Sequence, residues 1–86
     1  MPRVLLTGSI QQHVGGLSAI DVAGDTTGAV MSALEAAYPP LRGWVVDERG
    51  ALRQHVKLFL RGSAVGLDAA LGHDDELHIV AAISGG

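Results

Sequence analysis

The sequence predicts an α+β domain in which a sheet packs one main helix against one of its faces. Three observations carry this prediction. Apolar residues alternate with period two near the start of the chain and again in its second half. A single amphipathic helical stripe lies between those runs. Nearly half of the 86 residues are apolar (48%), enough to fill one small core. Two opening strands followed by one helix suit a sheet covered on one face, which leaves the other face for solvent or a partner.

Residues 3–8 suit a first strand, with Val4 and Leu6 on one face and Leu5 and Thr7 on the other. Residues 9–16 read as a polar stretch closing on a Gly15-Gly16 turn. Residues 17–23 form a second alternating run, in which Ile20 and Val22 share a face. Asp25 or Thr26 then caps a helix whose apolar face is Val30, Leu34 and Tyr38, flanked by Met31 and Ala37. Pro39-Pro40 stops it, because a residue before proline is pushed out of the α region. Residues 44–46 (Trp-Val-Val) read as a short strand with Trp44 partly buried, and 47–50 as a polar turn. Residues 53–61 alternate again, with Val56, Leu58 and Leu60 on one side and His55, Lys57, Phe59 and Arg61 on the other. Residues 62–75 read as an irregular crossing carrying Leu67 and Leu71, and 76–83 as the last strand. No repeat or linker divides the chain, so 1–86 is expected to be one domain. Such a small domain is expected to be stable by only ~5 kcal/mol or a little more.

Composition narrows the function. There is no cysteine, which excludes a disulfide scaffold, a thiolate metal site and a cysteine nucleophile. The net charge is −3 and the six basic residues form no run, which disfavours nucleic acid as a partner. No apolar stretch is long enough to span a membrane and no signal-peptide core opens the chain, so a cytoplasmic location is expected. His73, Asp74, Asp75, Glu76 and His78 crowd polar groups together. They fall on a turn and a strand, so they are expected to be solvated rather than metal-binding. Asp47 and Glu48 read as turn residues, and Gly15-Gly16 lacks the following helix of a phosphate loop. The chain ends in Gly85-Gly86, a thread without side chains that another protein's backbone can enclose. By strand parity Leu5, Phe59 and Val80 share the sheet face away from the helix. They form a candidate partner patch with an aromatic anchor.

Several segments together resemble a known family. Leu77-His78-Ile79-Val80 followed by the final Gly85-Gly86 is similar to the end of ubiquitin, LHLVLRLRGG, with Ala82 and Ser84 where ubiquitin has its two arginines. Gly24-Asp25-Thr26-Thr27-Gly28-Ala29-Val30, then Leu34-Glu35 and Tyr38, resembles the helix of the MoaD/ThiS/CysO sulfur carriers. So do Leu41-Arg42-Gly43, Asp47-Glu48-Arg49-Gly50-Ala51-Leu52-Arg53 with His55-Val56, and the polar turn 72–76. The chain departs from the family at Arg61-Gly62-Ser63-Ala64-Val65, where members often carry an Asn-Gly or Asn-Asp turn.

The resemblance implies a ubiquitin-like β-grasp fold, a mixed sheet on one helix, with a flexible tail at 83–86. It implies a carrier rather than an enzyme, acting as a protein co-substrate or as the small subunit of a synthase. Gly86 would be adenylated by an E1-like enzyme using ATP, converted by a sulfur donor to a thiocarboxylate, and used by an acceptor enzyme. Gly85 would let the tail enter a narrow channel, and Ile83 and Ser84 at its root would touch the partner. The length of segment 39–53 points to the molybdopterin-type or cysteine-forming branch. The acceptor would then be a molybdopterin-synthase large subunit or a cysteine-synthase homologue. The implied protein binds no cofactor or metal of its own and is monomeric alone. The alternatives are a protein modifier that forms isopeptide bonds through Gly86, and a β-grasp interaction module whose tail is chemically unused.

Overall fold

The computed structural model of the chain describes residues 1–81. Five strands form one sheet: β1 (Arg3–Leu6), β2 (Ala19–Asp21), β3 (Val56–Leu60), β4 (Ser63–Val65) and β5 (Glu76–Ala81). Their order is β2-β1-β5-β3-β4. β1 and β5 are parallel and the other neighbours antiparallel, so the sheet is mixed, as expected. The helix α1 (Thr27–Ala37) lies between β2 and β3 in the chain and buries Thr27, Val30, Met31 and Leu34.

Period-two alternation places the core. Val4, Leu77 and Leu60 stand level across three strands, and Leu6, Ile79 and Leu58 form the next row. All six are 4% exposed or less. At roughly 1.5–3 kcal/mol for each side chain fully withdrawn from water, these two rows make a large contribution to the folding energy. They pack with Val30, Met31 and Leu34 of α1 in one continuous cluster.

The start of α1 explains two of its residues. An α-helix opens with four N–H groups that lack intrahelical partners. Here Thr27 N–H bonds Ala69 O at 2.9 Å and Gly28 N–H bonds Leu67 O at 2.7 Å. Ala29 N–H bonds the Thr26 Oγ1 cap at 3.1 Å, and the regular helix ladder begins with Val30 N–H on Thr26 O at 3.0 Å. Thr27 Oγ1, fully buried, donates to Gly66 O at 2.6 Å and accepts from Ala69 N–H at 3.2 Å. The crossing after β4 is thus sewn onto the helix start. A Cβ on Gly28 would stand 2.7 Å from Leu67 O, so this early-helix glycine is required by a close backbone approach.

Four local expectations change. The polar stretch 9–16 contains a 3₁₀ helix, Gly8–Val14, because Ile10 and Val14 drop into the core while Gln12 stays in solvent. Residues 44–46 are not a strand. Asp47 accepts from Arg49 N–H at 2.9 Å and Ala51 N–H at 3.0 Å, and this tight turn leaves only the single bridge Val46–Leu52. The strand expected at 53–61 begins at Val56, since Arg53 N–H is tied to Val45 O and Val56 N–H to Arg53 O. The crossing 62–75 opens with β4, hydrogen-bonded to β3 through a two-residue turn at Arg61-Gly62. Both turn residues have positive φ, 51° and 82°, the pattern of a type I′ hairpin.

Candidate functional site

The expected reactive residues Gly85 and Gly86, and the tail-root residues Ile83 and Ser84, lie outside the described residues. What the structure positions is the strand that leads to them and the surface beside it. β5 sits at the centre of the sheet between β1 and β3, and its last residue, Ala81, stands level with Val56.

The outer face carries the other half of each strand's alternation. Leu5, His78, Phe59 and Ala64 stand level across β1, β5, β3 and β4, with Ala19 of β2 extending the row. Val80 is one step nearer the tail, opposite Lys57. The register therefore brings the three expected partner residues together. Leu5, Phe59 and Val80 are half-buried, and His78 and Lys57 are exposed. Phe59 is half-buried on this face, and a half-buried aromatic keeps area available to a partner. Arg3 forms an ion pair with Asp21 at 3.2 Å towards the opposite end of this face.

Sequence reasoning missed one member of this surface, Ala64, and one exposed aromatic that lies off it, Trp44. Ala64 went unplaced because Arg61-Gly62 lacks the Asn-Gly or Asp-Gly signature of a type I′ turn. The usable signal was a glycine exactly where an alternating strand ended, followed by the short run 63–65. An ion pair from the Arg61 guanidinium to Asp75 braces this turn. Arg61 and, secondarily, the Gly72 N–H hold the Asp75 carboxyl below its usual range. Trp44, expected to be partly buried, is 55% exposed. Its ring stacks on His13, with centroids 4.4 Å apart and planes inclined by 23°. Exposure follows from the turn: Val45 takes the core position, so its neighbour points out.

The remaining polar groups play local parts. His73 Nδ1 lies 3.2 Å from the N-terminal amine, and His78 belongs to the outer row. Among the described residues no three His, Asp or Glu side chains converge as metal ligands. Hydrogen bonds from backbone N–H groups, led by that of Ala51, lower the Asp47 pKa, and burial raises that of Glu35. One Glu35 carboxylate oxygen is buried without a hydrogen-bond partner among the described residues. No described helix is long and apolar enough to cross a membrane.

Comparison with known proteins identifies the fold and the family. No family model matches the chain. The sulfur carrier protein CysO of Mycobacterium tuberculosis is 32% identical over 83 residues, covering 90% of this chain and 89% of the relative. The crystal structure of M. tuberculosis CysO superposes with a TM-score of 0.88 at 29% identity, covering 96% of this chain and all of the other. SAMP1 from Haloferax volcanii gives a TM-score of 0.83 at 31% identity, covering 99% and 98%. The BexX/CysO complex of Amycolatopsis orientalis contains a chain of the same fold, with a TM-score of 0.89 at 22% identity and full coverage of both chains. A CysO-like sequence, a β-grasp sheet and a central strand running towards a diglycine meet in one molecule: the chain belongs to the MoaD/ThiS/CysO-type family of ubiquitin-like sulfur carriers.

Proposed function

We propose that this protein carries sulfur as a thiocarboxylate on Gly86. The observation that carries the reading is the match to CysO across nine-tenths of the chain. A carboxylate is a poor electrophile, so an E1-like enzyme first transfers AMP to it from ATP and releases pyrophosphate. The terminal sulfur of a donor persulfide then displaces AMP, giving an acyl disulfide. A second thiol of the donor attacks the distal sulfur, so the thiocarboxylate leaves and the donor is oxidised to a disulfide. The charge-bearing sulfur is then a good nucleophile near neutral pH. This chain supplies the reacting group and the grip but no catalytic side chain, and Gly85 lets the tail thread a narrow channel.

The grip is the outer face. Leu5, Phe59 and Val80 dock against partner enzymes, with Ile83 and Ser84 completing the contact at the tail root. The CysO of A. orientalis is held in a complex with BexX, so association with a second protein has a precedent in this fold. The protein is a monomer that forms transient heterodimers, uses ATP only through its activating enzyme, and works in the cytoplasm. Its acceptor is a cysteine-synthase homologue or a molybdopterin-synthase large subunit. The match to CysO favours the first. A second reading has its own support, since the likeness to SAMP1, a small archaeal modifier protein, favours an isopeptide-forming modifier. Intact mass after co-expression with an activating enzyme and a persulfide donor separates the readings. Exchange of one oxygen for sulfur supports the carrier. Ladders of conjugates that vanish when Gly86 is deleted support the modifier. An unchanged protein under both conditions contradicts both.

A further inference from the structure

The outer face is not the only surface beside the tail. Val56 stands level with Ala81, so the residues just before β3 sit at the end of the sheet from which residue 82 departs. Arg53 binds back from there to the Trp44 segment. Its N–H donates to Val45 O and its Nε to Gly43 O. The 3₁₀ helix Gly8–Val14 occupies the same end, because it follows β1, whose last residue Leu6 stands level with Ile79. The Trp44–His13 stack therefore crowns the tail end of the domain.

Three features mark this end for recognition. Trp44 is the one large aromatic more exposed than buried, and its stack on His13 already fixes the indole, so little rotamer freedom remains to be lost on binding. Cations also gather here: Arg42 adjoins the Trp44 segment, Arg53 is hydrogen-bonded to it, and Lys57 stands opposite Val80 at the same end of the sheet. Arg42 and Lys57 form no ion pair among the described residues. Finally, residues 82–86 can span at most about 18 Å, so any enzyme that holds Gly86 in its active site must approach this end closely.

We propose that the Trp44–His13 stack and the cations around it form a second recognition surface, which docks into an apolar socket rimmed by carboxylates on the enzyme that adenylates Gly86. This rests on the carrier reading above. Trp44 anchors the contact, and Arg42 and its neighbours orient the approach, since complementary charge acts mainly on encounter and register.

The test is ATP–pyrophosphate exchange by the E1-like enzyme of the same organism, with this protein as variable substrate. Trp44→Ala should raise its KM about tenfold or more and leave kcat within about twofold, while Trp44→Phe should recover most of the loss. Arg42→Glu should raise KM at low salt and flatten its dependence on ionic strength. As Trp44 is the only tryptophan, its single indole N–H resonance should shift when the enzyme is added. A folded Trp44→Ala protein with wild-type KM, or an unmoved indole resonance on a saturating complex, overturns this second surface alone. A wild-type chain that is never adenylated overturns the carrier reading and this inference with it.

Discussion

The two faces of the sheet are built from the same strands yet do opposite work. On the inner face Val4, Leu6, Leu58, Leu60, Leu77 and Ile79 are sealed under the helix. One residue along, on the outer face, Leu5, Phe59 and Val80 remain half-buried beside exposed His78 and Lys57. The difference is not one of hydrophobicity, since a phenylalanine lies outside and valines lie inside. It is one of neighbours: α1 covers one face and no element of the described chain covers the other. An apolar inner residue is explained by folding. An apolar outer residue is not explained by folding alone, and the partner contact proposed above offers an explanation.

The largest effect that probes this contrast is Leu58→Ala. Deleting a fully buried leucine should cost about 2–5 kcal/mol, most of the stability of so small a domain, as read by urea denaturation. Gly28→Ala comes next and sharpens the contrast, because it attacks the joint that closes the inner face. Alanine is the better helix former, but its Cβ would meet Leu67 O at 2.7 Å. It should destabilise by about 1–3 kcal/mol, reversing the usual propensity gain. Phe59→Ala, adjacent to Leu58 but on the other face, should cost only about 1 kcal/mol of stability and yet weaken binding of the activating enzyme about tenfold. If Leu58→Ala and Phe59→Ala lost equal stability, the division of labour between the faces would be wrong.

The smallest effects come from pH. Asp75 is held below its ordinary pKa by Arg61 and the Gly72 N–H, so its contribution is full above about pH 5. That contribution fades as pH falls through the folded-state pKa. Asp75→Asn should therefore lower the melting temperature at pH 7 and converge on wild type in acid. Glu35 has the opposite sign. Burial raises its pKa, so its ionised form disfavours the folded state at neutral pH. Glu35→Gln should raise the melting temperature at pH 7, and that gain should shrink as pH drops through the glutamate range.

Much of this contrast was legible in the sequence. Strand parity alone separated Leu58 from Phe59 and Leu77 from His78, because a period of two assigns faces as soon as a strand is recognised. The helix followed from Val30 and Leu34 and its cap from Thr26. What escaped depended on contacts between distant residues. Ile10 and Val14 are two apolar residues in a polar stretch, and only their fit into the core makes that stretch helical. Arg61-Gly62 adopts a hairpin turn braced by Asp75, fourteen residues away. Trp44 is exposed because Asp47 folds the chain back on itself and gives the interior to Val45. Of the candidate site, the trio on the outer face could be read from spacing, whereas Ala64 and the Trp44–His13 stack needed the fold.

The most direct test of the account is fragmentation mass spectrometry of the C-terminal peptide after the purified protein is incubated with its adenylating enzyme, ATP and a persulfide donor. The account predicts one oxygen replaced by sulfur, located at Gly86, with no such species formed when ATP is omitted. A C-terminal peptide that keeps both carboxylate oxygens while the same enzymes load a known carrier would contradict it.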